Sequence, residues 1–406
     1  MSVEVRTRWD GETPRTDPIA FLDAGLADLA DAGPDLVAST SHLDLRPLTI
    51  DMDGTTWLLR RVDGSIRVGR CGDALPASSL VLRVTGEQFA DLVDDQVTPI
   101  GWFTAGILDL SGGGIGRLLD WWLVIRSLLD GRPVHVPGAI GLPPDLGRSF
   151  TLDDDPAGML AFLESAGYLH LRGVFTPGEM AMVSDDMDVA APRYRPDDAN
   201  SWWATLADGT RTVVRMQRFE EQSAATAALL TDERFLRIGA LPGCGHTTQW
   251  SDDNRVEALF KPIGVAEGIS DVPWHKDCSL GRHSYECCAL TVGISVTGAG
   301  PTSGQLRVVA GSHRALVWPS LLDTGTLDLP EVALATATGD VTVHLSCTLH
   351  MAQPPTERER RVLYTGFGLT PRHPGAHAAA THRLAVASRE AAPLTTSQPP
   401  AGSAPI

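Results

Sequence analysis

Apolar and polar residues follow two rhythms along the first third of the chain, one helical and one typical of strands. Residues 19–32 carry apolar side chains every three or four positions, which predicts an amphipathic helix. Helices are also predicted over residues 87–95 and 116–130. The last of these is apolar on nearly every side, which implies burial or contact with an apolar ligand. Strands with a period of two are predicted at residues 49–51, 57–61, 65–70, 80–84 and 106–110.

The pattern changes after residue 130. Residues 131–156 are rich in Pro, Gly and Asp and predict a linker, while residues beyond about 384 lack the apolar content for a core and predict a disordered tail. Between them, two or three helices precede many short strands separated by Gly-rich turns, which favours a jelly roll with helices packed outside. We therefore predict four segments: an α+β domain (1–132), a linker (133–155), a mainly β domain (156–383) and the tail (384–406).

Composition narrows the range of functions. The chain has 406 residues and a formal net charge of −17. An acidic surface repels phosphate, so nucleic acid is not an expected partner, and a site for a small dicarboxylate must be locally basic. We see neither a secretory leader nor an apolar run of about 18 residues, so no membrane span is expected. The six cysteines include no C-x-x-C pair, which favours thiols in a reducing compartment and a cytoplasmic location.

One H-x-D sequence stands out as a candidate metal site. On a strand, His275 and Asp277 would point to the same face, where they supply two ligands of a 2-His-1-carboxylate facial triad. Such a triad leaves positions open on ferrous iron for a 2-oxo acid and O2. The motif alone is weak evidence, because His42-Leu43-Asp44 is also H-x-D but has no partner motifs.

Two histidines compete for the third ligand position. His350 is followed eleven residues later by Arg361, whereas His344 at that offset meets Pro355. The far carboxylate of a bound dicarboxylate needs a buried guanidinium. We predict that Arg361 points into the barrel and Arg360 away from it. We favour His350 as the ligand, and His344 stays as the alternative.

Four motifs in this part of the chain resemble the phytanoyl-CoA dioxygenases. They are PWHKD (273–277), TSGQLRVVAGSHR (302–314), GDVTVHLSCTLHMAQPP (339–355) and RRVLYTGF (360–367), preceded by the entry segment at 159–180. The resemblance covers about 220 residues. It implies a double-stranded β-helix, Fe(II), 2-oxoglutarate and O2, with release of succinate and CO2. The family's iron ligands fall on His275, Asp277 and His350, and its 2-oxoglutarate residues on Arg361 and Lys261.

The N-terminal part resembles the sterol-carrier-protein-2-like domain, most clearly over residues 84–113. That resemblance implies a five-stranded sheet with helices around an apolar tunnel. It has no catalytic motif, and an ordinary α+β core is the alternative.

The substrate is not legible in the sequence. Arg282 and His283 lie just past the metal motif and could line the substrate mouth, and Trp202 and Trp203 lie near basic residues and could clamp an organic acid or a ring. We expect a dioxygenase that hydroxylates a small molecule in secondary metabolism, with a lipid-like, acyl, polyketide or amino-acid-derived substrate. The alternative is an apolar-ligand carrier with an inactive barrel. The oligomeric state is not predicted.

Overall fold

The computed structural model describes most of the chain between residues 15 and 368. The described ranges are 15–71, 80–198, 200–243, 245–248, 255–268, 272–280, 289–321, 324–325 and 327–368, and the side chains of residues 279 and 280 are not described. The predicted tail (384–406) and the predicted substrate residues Arg282 and His283 lie outside these ranges.

The first part of the chain, which we call the N-terminal module, is a five-stranded sheet covered by helices. Its strand order is β3-β2-β1-β4-β5, with β1 and β4 parallel. The helices are α1 (Pro18–Ala20), α2 (Leu26–Ala32), α3 (Pro34–Ser39), α4 (Gly86–Val93), α5 (Pro99–Thr104) and α6 (Ile115–Asp130), and a π-helical turn, Phe21–Gly25, joins the first two. The strands are β1 (Leu48–Met52), β2 (Thr55–Val62), β3 (Ser65–Arg70), β4 (Leu80–Val84) and β5 (Asp109–Ser111). The sheet has the number of strands that the sterol-carrier resemblance implied, but that resemblance stays a prediction.

One predicted strand of this module is wrong in position, and two helices, α3 and α5, were missed. The strand expected at 106–110 is β5, three residues later, and it is preceded by α5. The Thr98 side chain accepts a hydrogen bond from the Gly101 amide, and Pro99 occupies the first helical position. Both are ordinary helix-start signals, so the Thr-Pro sequence could have indicated α5.

Helix α6 lies in the core of the module. Trp121 and Trp122 are almost wholly buried, and the Trp121 indole donates to the carbonyl of Arg46 at 2.7 Å. Arg126 is also buried, because its guanidinium pairs with Asp95 at 3.1 Å and donates to the Val93 carbonyl at 2.8 Å. Of the two expectations for this apolar helix, burial is the one that the structure shows.

The second part is a jelly roll of two antiparallel sheets with helices outside, which confirms the predicted fold class. The eight-stranded sheet has the order β10-β7-β8-β9-β18-β12-β16-β6, and the five-stranded sheet β14-β11-β17-β13-β15. Its helices are α7 (Pro156–Ala166), α8 (Pro177–Ala190), α9 (Ala224–Leu229) and α10 (Glu233–Ala240). Its strands are β6 (Tyr168–Leu171), β7 (Ser201–Leu206), β8 (Arg211–Met216), β9 (Glu257–Lys261), β10 (Val265–Glu267), β11 (Trp274–His275), β12 (Leu290–Ser295), β13 (Leu306–Val309), β14 (Ser320–Leu321), β15 (Glu331–Leu334), β16 (Val341–Leu345), β17 (His350–Ala352) and β18 (Arg360–Phe367).

The two faces of the larger sheet have different surroundings. Alternate residues of β12 and β18, such as Val292, Leu363 and Phe367, belong to the core beneath helices α8 and α10, and we call this the outer face. Phe235 of α10 packs on Phe367 with ring centroids 4.6 Å apart. The intervening residues of β12 point to the inner face, where the Thr291 hydroxyl meets Asp277. Directly paired residues of neighbouring strands point to the same face of a sheet. The register of β12 with β18, followed from strand to strand, therefore tells which residues of this sheet point to the inner face and which to the outer face.

The segment between the two parts contacts both of them. The His135 amide donates to the Leu316 carbonyl at 3.0 Å, and the His135 ring is 2.6 Å from Asp328. Trp318 packs against the apolar side of α5 and α6, and its indole donates to Asp120 at 3.0 Å. Helix α5 packs on the turn Asp277–Leu280. Within the described ranges, no helix combines the length and apolar content needed to cross a bilayer.

Asp120 makes the contact between module and jelly roll sensitive to pH. Burial raises its pKa to about 6, although the hydrogen bond from Trp318 acts in the opposite direction. The folded state therefore binds the proton more tightly than the unfolded state, and the stability associated with the protonated form is lost as pH rises through about 6. We expect Asp120→Asn, whose amide oxygen can accept the same bond, to raise the melting temperature at pH 7.5 by about 1–3 °C and to have little effect at pH 4. Thermal unfolding of the exposed-site variant Asp28→Asn is the control. A gain that is larger at pH 4 than at pH 7.5 would contradict this assignment.

Candidate metal centre

Three side chains that are far apart in sequence converge on the inner side of the jelly roll. Ligand atoms of His275, Asp277 and His350 all lie within 4.8 Å of one another. The Nε2 atoms of His275 and His350 are 3.3 and 3.4 Å from Oδ1 of Asp277, and the two rings are 4.3 Å apart between centroids. The structure therefore brings together the three residues that the sequence singled out.

The strand that carries His275 is shorter than the alternation argument assumed. Strand β11 ends at His275, and Asp277 begins a 3-10 turn, Asp277–Leu280. His275 is held by pairing with His350 on one side and Ser320 on the other. Lys276, between the two ligands, is wholly buried and donates to the carbonyls of Ser312 and Ala315. Asp277 thus reaches the site through a turn that follows a buried lysine.

Backbone carbonyls orient both imidazoles. Nδ1 of His275 lies 2.7 Å from the carbonyl oxygen of Pro273, and Nδ1 of His350 lies 2.9 Å from that of Thr348. A carbonyl can only accept, so each Nδ1 carries a proton, and each ring in its neutral form would present the Nε2 lone pair to a metal. This is the tautomer that a metal-ligating histidine needs.

The electrostatics of the cluster favour an ionised Asp277 carboxylate, which His350 stabilises. Burial lowers the pKa of His275, and His350 lowers it further. For Asp277, burial alone would raise the pKa, but the charge of His350 and hydrogen bonds from the surrounding imidazoles hold the pKa well below its usual range. For His350, burial is outweighed by Asp277, which raises the pKa. Two imidazoles and an ionised carboxylate form a donor set that suits Fe(II).

The second oxygen of Asp277 is held by two further side chains. Oδ2 accepts from the Thr291 hydroxyl at 2.8 Å and lies 3.3 Å from Nε2 of His344. Burial lowers the pKa of His344 to about 4, so this ring is neutral and its Nε2–H donates to Oδ2. His344, which the sequence analysis kept as the alternative third ligand, therefore lies beside the Asp277 carboxylate. The centroids of the His344 and His350 rings are 4.1 Å apart. Because Oδ2 is engaged, Oδ1 remains for a metal.

The prediction that Arg361 points into the barrel is wrong. Arg361 lies on the outer face, where its guanidinium donates to the Ser184 hydroxyl at 2.9 Å and to Asp188 at 2.8 Å on α8, and stacks over Phe260. The Arg360 side chain points to the inner face, which it shares with Val362 and Tyr364, and it is only 2% exposed. The prediction counted eleven residues from His350 to Arg361. That count crosses a loop, and the alternation of side chains along a strand does not continue through a loop.

Arg360 and Lys261 form a buried basic pair on the inner face. They are directly paired across β18 and β9, and both are 2% exposed. Arg360 donates to the Gly304 carbonyl at 2.8 Å, and its Nε atom has no hydrogen-bond partner among the described residues. A Cβ on Gly304 would come within 2.9 Å of the Gln353 carbonyl oxygen and 3.5 Å of the Lys261 side chain, so this position beside the pair requires glycine. Two buried cations side by side make this part of the inner face locally basic, although the chain as a whole has a net charge of −17.

The two tryptophans predicted to clamp a substrate are separated by the structure. Trp202 is paired with Arg215, which stacks on it at 4.1 Å, and the register through β9 places both on the inner face. Trp203, beyond a β-bulge, packs against the outer core. Arg215 also forms an ion pair with Glu257 at 3.0 Å. Only Trp202 stays a candidate for substrate contact.

A family model supplies the classification. Residues 163–362 match the model described as phytanoyl-CoA dioxygenase (PhyH). This part of the chain belongs to the phytanoyl-CoA dioxygenase family, which confirms the predicted family. The enzyme class and cofactors that we predicted, a non-heme Fe(II)- and 2-oxoglutarate-dependent dioxygenase, are those of this family and are confirmed at that level. A comparison with curated proteins found no match.

Several solved structures are similar in fold. AviO1 from Streptomyces viridochromogenes Tue57 has 22% identity and a TM-score of 0.44, over 55% of this chain and 98% of that chain. EctD from S. alaskensis, solved with 2-oxoglutarate and 5-hydroxyectoine, has 19% identity and a TM-score of 0.44, over 61% and 96%. The epimerase SnoN from nogalamycin biosynthesis has 22% identity and a TM-score of 0.41, over 52% and 83%. The assignment of the family rests on the family model alone.

Proposed function

We propose that this protein oxidises an unactivated C–H bond of a small organic molecule, most simply by hydroxylation, with Fe(II) held by His275, Asp277 and His350. The observation that carries the proposal is the convergence of these three ligand atoms within 4.8 Å around an inner carboxylate oxygen. When bound, the iron supplies the O2 chemistry that couples 2-oxoglutarate decarboxylation, with release of succinate and CO2, to oxidation of the substrate.

The protein's own residues hold and orient the participants. The carbonyls of Pro273 and Thr348 fix the imidazole tautomers, and Thr291 with His344 restrains Asp277 so that a single oxygen faces the metal. If Asp277 binds the metal through one oxygen, this ligand set would leave positions open for a 2-oxo acid and O2.

Arg360, with Lys261 beside it, is our candidate for the distal carboxylate of 2-oxoglutarate. A buried guanidinium with an unengaged Nε can form a charge-assisted, two-point contact with a carboxylate. Arg361 has no such role in this proposal, because its donors are engaged by α8.

The domain division belongs to the proposal as well. We retain the α+β domain (1–132), linker (133–155) and oxygenase domain (156–383), supported by the separate apolar cores of the two parts. A cytoplasmic location and a role in secondary metabolism are also proposed, and Trp202 on the inner face favours a substrate with a ring or an apolar surface.

Formation of succinate tests the proposal. Purified protein with Fe(II), ascorbate and 2-oxoglutarate is expected to form succinate, and His275→Ala is expected to reduce that rate by at least about 100-fold because one of the three ligands is lost. The matched control is His42→Ala, which removes the exposed histidine of the other H-x-D sequence and is expected to leave the rate unchanged. Equal rates for wild type and His275→Ala would reject the oxygenase and favour the carrier alternative.

A further inference from the structure

Two cysteines lie side by side directly next to the metal-binding residues. The Sγ atoms of Cys278 and Cys347 are 3.1 Å apart, and the two are not joined in a disulfide. Cys278 immediately follows Asp277 in the 3-10 turn. Cys347 lies in the turn between β16 and β17, three residues before His350. Cys278 thus shares a turn with Asp277, and Cys347 lies in the turn that leads into His350.

The backbone already holds the two turns together. The Cys278 amide donates to the carbonyl of Ser346, the residue before Cys347, at 3.3 Å. A disulfide has a sulfur–sulfur bond of about 2.05 Å, so closure requires the two atoms to approach by only about 1 Å. Such an approach is within the reach of side-chain rotation and a small shift of either turn.

The two thiols differ in access. Cys347 is wholly buried, whereas Cys278 is half-buried and can meet a small oxidant. In a dithiol of this kind the accessible sulfur is oxidised first and the buried one resolves the product.

We propose that Cys278 and Cys347 form an oxidative modification site, in which a peroxide converts the dithiol to a disulfide between the turn that contains Asp277 and the turn that leads into His350. Cys278 sulfur attacks one peroxide oxygen, the O–O bond breaks, and a sulfenic acid and water form. Cys347 sulfur then attacks the Cys278 sulfur, and the hydroxyl leaves with the Cys347 proton as a second water. The two thiols lose two electrons and two protons in total, and one hydrogen peroxide is reduced to two waters.

The disulfide would change the metal site because it moves the two turns that position Asp277 and His350. Ligand distances in a working metal site are defined to within about 0.2 Å, so even a small shift of either turn on closure of the sulfur pair would disturb them. Asp277 directly precedes Cys278, and His350 follows Cys347 by three residues, so the shift would reach both ligands. We expect metal affinity to fall about tenfold in the disulfide form and to recover on reduction.

Mass spectrometry of the full chain is the test. Wild-type protein loaded with Mn(II) is treated with equimolar hydrogen peroxide, alkylated under denaturing conditions and digested. The expected product is a linked peptide pair containing Cys278 and Cys347, lighter by two hydrogens than the two thiol peptides and removed by dithiothreitol. Cys278→Ser and Cys347→Ala are expected to abolish it, and the matched control Cys71→Ser, in the N-terminal module, to retain it.

Alkylation of both Cys278 and Cys347 after peroxide treatment, or a disulfide from either residue to another cysteine, would overturn the proposal. Mn(II) titrations of the oxidised and reduced forms test the coupling, and equal affinities would overturn that part. None of these measurements requires turnover, so their failure is distinguishable from failure of the proposed oxygenase function.

Discussion

Replacing Arg360 by methionine is expected to weaken 2-oxoglutarate binding by about 100-fold or more. Methionine keeps much of the buried side-chain volume but removes the charge and the donors. Loss of one partner of a buried, hydrogen-bonded charge pair costs about 2–5 kcal/mol, and each 1.4 kcal/mol corresponds to a factor of ten in affinity. The Michaelis constant for 2-oxoglutarate in the succinate assay should rise accordingly, with the affinity for metal nearly unchanged.

Arg361→Met is the matched control, because it makes the same chemical change one residue away on the outer face. It removes contacts to Ser184 and Asp188 of α8, and its expected effect is a modest loss of stability with an unchanged Michaelis constant for 2-oxoglutarate. If Arg361→Met alone destroyed 2-oxoglutarate binding and Arg360→Met did not, our assignment of the inner face would be wrong.

His350→Ala and His344→Ala are expected to differ strongly in their effect on metal binding. Loss of His350 removes a ligand, so Fe(II) affinity should fall by about 100-fold or more. Loss of His344 removes one hydrogen bond to Oδ2 of Asp277, while Thr291 continues to hold that oxygen, so affinity should fall by about tenfold. Anaerobic competition with a chromophoric chelator measures both, and His42→Ala serves as the control.

The reverse order of effects would identify His344 as the third ligand. His344→Gln offers a further check, because its amide can donate to the same carboxylate oxygen. Recovery of metal affinity in His344→Gln relative to His344→Ala is the result expected of a residue that positions Asp277.

The sequence was sufficient for the features that depend on local spacing. Strand and helix periodicities predicted the elements of the N-terminal module closely, except for β5, α3 and α5. The convergence of His275, Asp277 and His350 could also be predicted, because His275-Lys276-Asp277 and the distant His350 occur within motifs of defined order. The strand assumed for Asp277 was wrong, yet the convergence held, since a turn after a buried lysine also brings the carboxylate beside the imidazole.

Features that depend on register or on distant packing could not be obtained in this way. The adjacent residues Arg360 and Arg361 point to opposite faces of β18. An offset counted through the preceding loop could not tell which of the two points to the inner face. Alternation counted back from Leu363 and Phe367, both of which belong to the outer face, would have indicated Arg360. The contacts of α5 with the metal-bearing turn and of Trp318 with Asp120 join residues far apart in the chain, and no local pattern signals them.

Diffraction at the iron absorption edge, from crystals grown anaerobically with Fe(II) and 2-oxoglutarate, tests the metal centre most directly. The expected result is one anomalous peak bonded to Nε2 of His275, Oδ1 of Asp277 and Nε2 of His350, with the far carboxylate of 2-oxoglutarate on the Arg360 guanidinium. A peak bonded to His344 in place of His350, or no peak at this site at full iron loading, would contradict it.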